Sequence, residues 1–213
     1  MVLIYDISML IEHEMPVYKN LAEKRPTLNV VRNHGSGKIH ESRLEMDLHC
    51  GTHIDAPLHV IAGGSTLESI DLSKFIRGCK VLNLTAVKER ITQDELKEKA
   101  IDSGDFILLK TRNSLSNSFD LSFVYLAKSG AEYLTEKGVV GVGIDSLGIE
   151  RNQPDYDTHK TLLSAGIVIM EGLRLAHVVE GKYTLIALPL KIKGAEASPV
   201  RAILIQPNES DIM

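Results

Sequence analysis

The sequence predicts an α/β domain in which a mixed β-sheet is flanked by a few helices. Three observations point there. Short runs rich in β-branched and aromatic residues outnumber the helical segments. The two kinds of segment alternate along the chain rather than separating into halves. Two of the apolar runs, 139–144 and 166–170, end in acids, Asp145 and Glu171. In α/β folds, sites gather at such strand ends.

The elements follow in order. Val2 to Ser8 reads as a strand. Residues 14–27 are irregular between Pro16 and Pro26, and Leu28 to Arg32 suits a short strand. In 42–48, Leu44, Met46 and Leu48 alternate with Arg43, Glu45 and Asp47, the period of a half-buried strand. Val81 to Val87 and Phe106 to Leu109 are apolar runs of strand type. Between them, Thr92-Gln93-Asp94-Glu95 is a capping box that opens a helix to about Ala100. A second helix is expected over 124–137, with Gly138 just past its end. Residues 157–165 suit a third helix. Tyr183 to Leu190 and Ala202 to Ile205 read as late strands.

Bulk properties narrow the class. The 213 residues are read as one domain, 1–213, large enough to bury a core without crosslinks. A hydrophobic content of 44% fits a globular chain. The net charge of −4, with no basic stripe, argues against a nucleic-acid partner. The two cysteines, Cys50 and Cys79, make no disulfide framework. The start lacks a signal-peptide pattern, and no apolar run approaches about 20 residues, so neither export nor membrane insertion is expected. The cytoplasm is the expected compartment.

Chemistry concentrates in His49-Cys50-Gly51-Thr52-His53-Ile54-Asp55-Ala56-Pro57-Leu58-His59. Imidazole and carboxylate together suit a borderline divalent metal such as zinc or manganese. A helical reading fails, because Gly51 and Pro57 oppose a helix interior and no HExxH glutamate is present. A straight strand fails too, since it would hold His49 and His53 about 13 Å apart. The chain must bend, and Gly51 permits this by taking positive φ. The Thr52 hydroxyl is expected to fix that turn. Cys50 has the opposite parity and reads as a buried structural thiol. Elsewhere, His159 and Glu171 are candidates to join the site, and Asp145 is a weaker one.

HCGTHIDAPLH resembles the H-x-G-T-H-x-D-x-P-x-H signature of the cyclase-like metal-dependent hydrolases, a family that includes bacterial kynurenine formamidase and isatin hydrolase. Asp6-Ile7-Ser8, Pro16-Val17-Tyr18, Gly143-Ile144-Asp145-Ser146 and His159 through Glu171 extend the likeness over nearly the whole chain. The resemblance implies a barrel-like core of the swivelling β/β/α type, usually in dimers or tetramers. It implies two divalent ions: His49 and His53 on the first, Asp55 bridging, His159 on the second, and Glu171 bridging or joining it. His59 would carry protons. The implied activity is hydrolysis of an amide of a small molecule by metal-activated water, as in an arylformamidase. Action on a cyclic amide or lactone is the alternative, and a non-catalytic metal-binding protein is the alternative of another class. One departure concerns the substrate. Formamidases of this group have Trp-Pro-Gly-Asp after Pro-Val, where this chain has Tyr18-Lys19-Asn20 and contains no tryptophan. Tyr18 can still stack on an aromatic ring, but an aromatic content of 5% is thin for an aryl pocket.

Overall fold

The computed structural model describes residues 2–116 and 118–206. Its strands are β1 (Ile4–Asp6), β2 (Thr27–Arg32), β3 (Glu41–Glu45), β4 (His53–Asp55), β5 (Ile76–Asn83), β6 (Arg90–Ile91), β7 (Phe106–Lys110), β8 (Tyr125–Leu126), β9 (Gly141–Ile144), β10 (Val168–Glu171), β11 (Gly181–Ile186), β12 (Ala197–Pro199) and β13 (Ile203–Ile205). Nine of them form one mixed sheet in the order β1-β13-β11-β5-β7-β9-β10-β4-β12. β2 pairs with β3, and β6 with β8, in two small sheets.

Connectivity forces the large sheet to curl. If it were flat, the seven spacings from β13 to β12 would span about 34 Å. Yet only three residues, 200–202, join these two strands, a reach of at most about 14 Å. The result is a half-barrel.

Its concave side holds Ile54, Phe75, Phe106, Leu108 and Met170. The convex side carries Ile107, Leu109, Val142, Ile144 and Ile169 against three helices: α1 (Gln93–Lys97), α2 (Lys128–Lys137) and α3 (Asp157–Ser164). Burial on both faces explains why Phe106 to Leu109 shows no polar alternation.

Several boundaries differ from the sequence expectation. The Thr92 capping box forms, but α1 ends at Lys97. The expected helix over 124–137 begins only at Lys128. Before it, Tyr125 and Ala127 donate backbone hydrogen bonds to Glu89 and Ile91 (3.3 and 2.9 Å), so tertiary pairing overrides helical propensity there. The first mid-chain strand starts at Ile76 rather than Val81. β3 is exposed on both faces, with Leu44 50% exposed, because among the described residues nothing covers the β2–β3 hairpin. β4 and β12 are only three residues long and escape a periodicity reading. Among the described residues, no helix is long and apolar enough to cross a membrane.

Candidate metal centre

The site is built on the β4–β10 pair. Ile54 points into the concave core, so His53 and Asp55 point to the convex face. On β10, Ile169 lies on that convex face, and Glu171 shares its parity. The antiparallel register sets Glu171 opposite His53 and Ile169 opposite Asp55. A two-residue period in each strand therefore converges three donors on one spot.

Gly51 takes φ +69° and supplies the bend that the sequence requires. Gly172, just past β10, takes the same φ, and a Cβ on it would strike the Gly51 carbonyl. The two turns thus touch backbone to backbone. Thr52 ties them to their surroundings rather than fixing its own turn. Its hydroxyl donates to the Gly172 carbonyl (2.6 Å) and accepts from the Met9 amide (2.8 Å).

His159 arrives from α3. That helix has no side-chain cap at Tyr156, its N-cap residue. Glu150 takes over, accepting from the backbone amides of Thr158 (2.9 Å) and His159 (3.2 Å). Its other oxygen lies 3.2 Å from His159 Nδ1, which leaves Nε2 to face the site. The contact is a close charge pairing without an aligned hydrogen bond; a carboxylate behind a histidine favours the ring orientation that turns Nε2 to the site. Glu150 escaped the sequence reading. Its only signal is an acid next to buried Ile149, and the gap to His159 closes only in three dimensions.

The donors meet closely. His53 Nε2 lies 3.4 Å from both Asp55 Oδ1 and Glu171 Oε2. His159 Nε2 lies 3.6 Å from Asp55 Oδ2 and 3.3 Å from Glu171 Oε1. His49 Nδ1 lies 2.9 Å from Asp55 Oδ1. The His59 ring centre is 4.1 Å from that of His49 and 5.5 Å from that of His159. Two compact donor sets result, His53–Asp55–Glu171 and His49–Asp55–His59, each with ligand atoms within 4.8 Å of one another. Asp55 belongs to both. These sets pair the histidines differently from the resemblance, which puts His49 and His53 on one ion.

A divalent cation fits these residues. Both Asp55 oxygens, His53 Nε2 and His49 Nε2 are buried without an aligned hydrogen-bond partner. Buried polar atoms rarely remain so unless a ligand takes them.

The charge balance agrees. Burial works against ionising His53, but Asp55 and Glu171 outweigh it and raise its pKa to about 9. Burial likewise opposes charge on His159, yet hydrogen bonding to Asp55, Glu150 and Glu171 holds it well above the usual histidine range. Burial and Asp55 both work to raise Glu171, while His159 and His53 bring it down to about 2. Burial opposes ionisation of Asp55 too, but its histidine neighbours hold it well below the usual carboxylate range. Imidazolium here supplies the positive charge that two buried carboxylates demand. His59 is different: burial, helped by His49 and His159, lowers its pKa. It is a neutral base at neutral pH.

Above these groups opens a cavity of about 600 Å³, lined among others by Tyr18, His59, Phe123, Tyr156, His159 and Glu171. The chain has six tyrosines and four phenylalanines. Five of these ten rings gather here, because Phe119 packs on Tyr18 (centres 5.3 Å apart) and Tyr125 lies under Arg151, which reaches into the cavity wall. Half of the chain's aromatic rings thus lie in or beside this cavity.

Asp145 stays outside the donor sets. It accepts from the amides and hydroxyls of Thr111 and Ser114, latching the 111–115 turn to the end of β9. Cys50 is buried with Sγ 3.7 Å from Met15 Sδ, a packing role.

Fold and site together define a metal-dependent hydrolase. The family model described as "Putative cyclase" matches residues 5–151. A kynurenine formamidase of Salinibacter ruber is 33% identical over 202 residues, covering 93% of this chain and 95% of the relative. A solved structure described as a potential metal-dependent hydrolase with cyclase activity superposes with a TM-score of 0.92 at 46% identity, covering 98% of this chain and all of that one. Isatin hydrolase A from Labrenzia aggregata shares the fold, with a TM-score of 0.84 at 21% identity over 96% of this chain and 93% of its own. The chain belongs to the cyclase family of metal-dependent hydrolases.

Proposed function

We propose that this protein, residues 1–213 acting as one domain, hydrolyses the C–N bond of a small-molecule amide, with an aryl formamide as the favoured substrate. One observation carries the reading: a buried carboxylate, Asp55, whose oxygens lack an aligned hydrogen bond, is shared by two donor sets beneath an aromatic cavity. His49, His53, Asp55, His159 and Glu171 would hold the divalent metal, with room in the two donor sets for two ions. Nitrogen and oxygen donors without thiolate suit zinc or manganese. When bound, the cation polarises a carbonyl and makes water a stronger acid.

The chain's own groups do the rest. Tyr18, in the cavity wall, stacks on the ring of the substrate. Glu150, with its carboxylate 3.2 Å from His159 Nδ1, favours the ring orientation that presents Nε2. A neutral imidazole nitrogen of His59 takes a proton from the attacking water as the new C–O bond forms. It returns that proton to the departing nitrogen as the C–N bond breaks. The formyl group leaves as formate and the amine is released.

A His59→Ala variant tests the assignment. It keeps its metal and loses at least about a hundredfold in kcat, the usual worth of general acid–base catalysis. Loss of metal with turnover intact would overturn it. A panel of N-formyl anilines, isatin-like rings and lactones, assayed with zinc and then manganese restored, sets the substrate class.

The β2–β3 hairpin supports assembly into homodimers or homotetramers. Leu28 and Leu44 face each other across it, and Val30 shares their face; all three are at least half exposed. A two-stranded hairpin with no covering layer is marginal in water. Sedimentation of the wild type against Leu28→Asp reads this directly. Two free, buried cysteines are consistent with a reducing cytoplasm.

A further inference from the structure

The backbone strain of this molecule is not scattered. Among the described residues, four non-glycine residues have positive φ: Lys19 (58°), Asn20 (54°), Asn152 (56°) and Tyr156 (54°). L-residues adopt this region rarely, and where they do, function is a common reason. All four fall on two short segments, 18–20 and 152–156, and Lys19, Asn152 and Tyr156 line the cavity above the metal cluster. The Tyr156 ring stands 6.2 Å from His159 and is half exposed. With Tyr18, it gives the cavity a second aromatic wall.

Charge sharpens the picture. Besides the histidines of the floor, three cationic side chains line this cavity: Lys19, Lys24 and Arg151. Two are already answered. Lys24 pairs with Asp47 at 3.3 Å. Arg151 pairs with Glu89 at 3.4 Å, donates to the Leu121 carbonyl at 3.0 Å, and lies over the Phe123 and Tyr125 rings. Lys19 has no carboxylate within ion-pair distance among the described residues. Its ammonium instead sits 5.5 Å from the centre of the Tyr18 ring. The floor of the site is the reverse, with Asp55 and Glu171 surrounded by histidines. A substrate therefore meets a cation-accepting floor, two aromatic walls and one unanswered positive charge at the rim.

We infer that Lys19 is a specificity residue that receives an anionic group of the substrate, so that the preferred amide is an aryl amide carrying a carboxylate. This rests on the amide-hydrolase reading above. The flat body lies between Tyr18 and Tyr156, the scissile carbonyl faces the floor, and the carboxylate meets the Lys19 ammonium. The left-handed turn at Lys19 holds the ammonium beside Tyr18 before any ligand arrives. A rim charge of this kind contributes modestly and is screened by salt.

The test compares 2-formamidobenzoate with formanilide, which lacks the carboxylate, on the metal-loaded wild type and on Lys19→Gln. Lys19 is exposed and Gln is a polar, unbranched replacement one atom shorter, so folding is not at risk. The wild type favours the carboxylate substrate by about five- to tenfold in kcat/KM at low salt, mainly through KM. Lys19→Gln brings the ratio near one, and Lys19→Glu inverts it. A ratio unchanged by Lys19→Gln would overturn the inference, as would a wild type without preference.

Calorimetric binding of 2-aminobenzoate and of aniline to the same proteins provides a readout independent of turnover. Weaker binding of the carboxylate alone in Lys19→Gln supports the inference; binding indifferent to Lys19 overturns it. If no amide in the panel is cleaved while binding still depends on Lys19, the amide-hydrolase reading fails and the anionic-ligand assignment stands.

Discussion

Two antiparallel strand pairs of this protein have opposite fates. The β2–β3 hairpin is longer and pairs over more residues, yet almost every side chain on it is exposed. The β4–β10 pair is only three residues deep, yet its residues are buried without exception. The difference lies in their neighbours. β10 is flanked by β9 and β4 by β12, the concave core lies beneath them, and α3 lies above. Among the described residues, the hairpin pairs only with itself. Pairing alone does not bury a strand; a second layer does. The chemistry sits where both faces are covered, because a low-dielectric surround strengthens every charge contact.

The largest expected effect falls on the buried pair. Ile54→Ala removes a fully buried side chain from the concave face of β4 and costs about 2–5 kcal/mol in denaturant melts. A loss below about 1 kcal/mol would mean that β4 is not held by the core.

The second effect concerns the support of the site rather than its strands. Glu150→Gln keeps the shape but weakens the hold on His159 Nδ1 and on the α3 amides. Metal affinity falls about 10- to 100-fold, the usual cost of losing such a partner, with little change in the melting curve of the metal-free protein.

The third is a pH dependence. In the metal-free site, His53 titrates near 9 and therefore carries a proton at neutral pH. A cation must displace that proton. His159, likewise held protonated, adds a second displaced proton, so apparent affinity rises with pH by about tenfold per unit for each proton displaced and does not level off below about pH 9. Affinity that is flat between pH 6 and 8 would show that His53 is not displaced by the metal.

The smallest effect is on the hairpin. Leu44→Ala shifts the stability of an isolated subunit by no more than about 0.5 kcal/mol, as exposed substitutions do. A loss as large as that for Ile54→Ala would erase the contrast between the two pairs.

The same contrast explains what the sequence makes legible. The period of two in Leu44, Met46 and Leu48 suggests a half-buried strand, but β3 ends at Glu45 and lies bare, because periodicity carries no information about what covers a strand. The odd parity of His53 and Asp55 and the requirement for a bend at Gly51 are local matters of strand geometry, so they can be read directly. The meeting of Glu171 with His53 depends on a register between strands more than a hundred residues apart. No local rule supplies it, and only the family signature links them. Glu150 lies beyond both kinds of reading: it acts through the start of α3, whose N-cap residue, Tyr156, offers no capping side chain. Lys19 and Tyr156 stand out only once the backbone shows where its left-handed residues gather.

The central claim is that Asp55 is the shared ligand on which the metal centre and the activity depend. Metal content measured beside formamide hydrolysis, for the wild type and Asp55→Ala at equal supplied metal, tests it most directly. The account predicts a loaded, active wild type and an Asp55→Ala protein that is folded, metal-poor and inactive. An Asp55→Ala protein with full metal occupancy and retained turnover would contradict it.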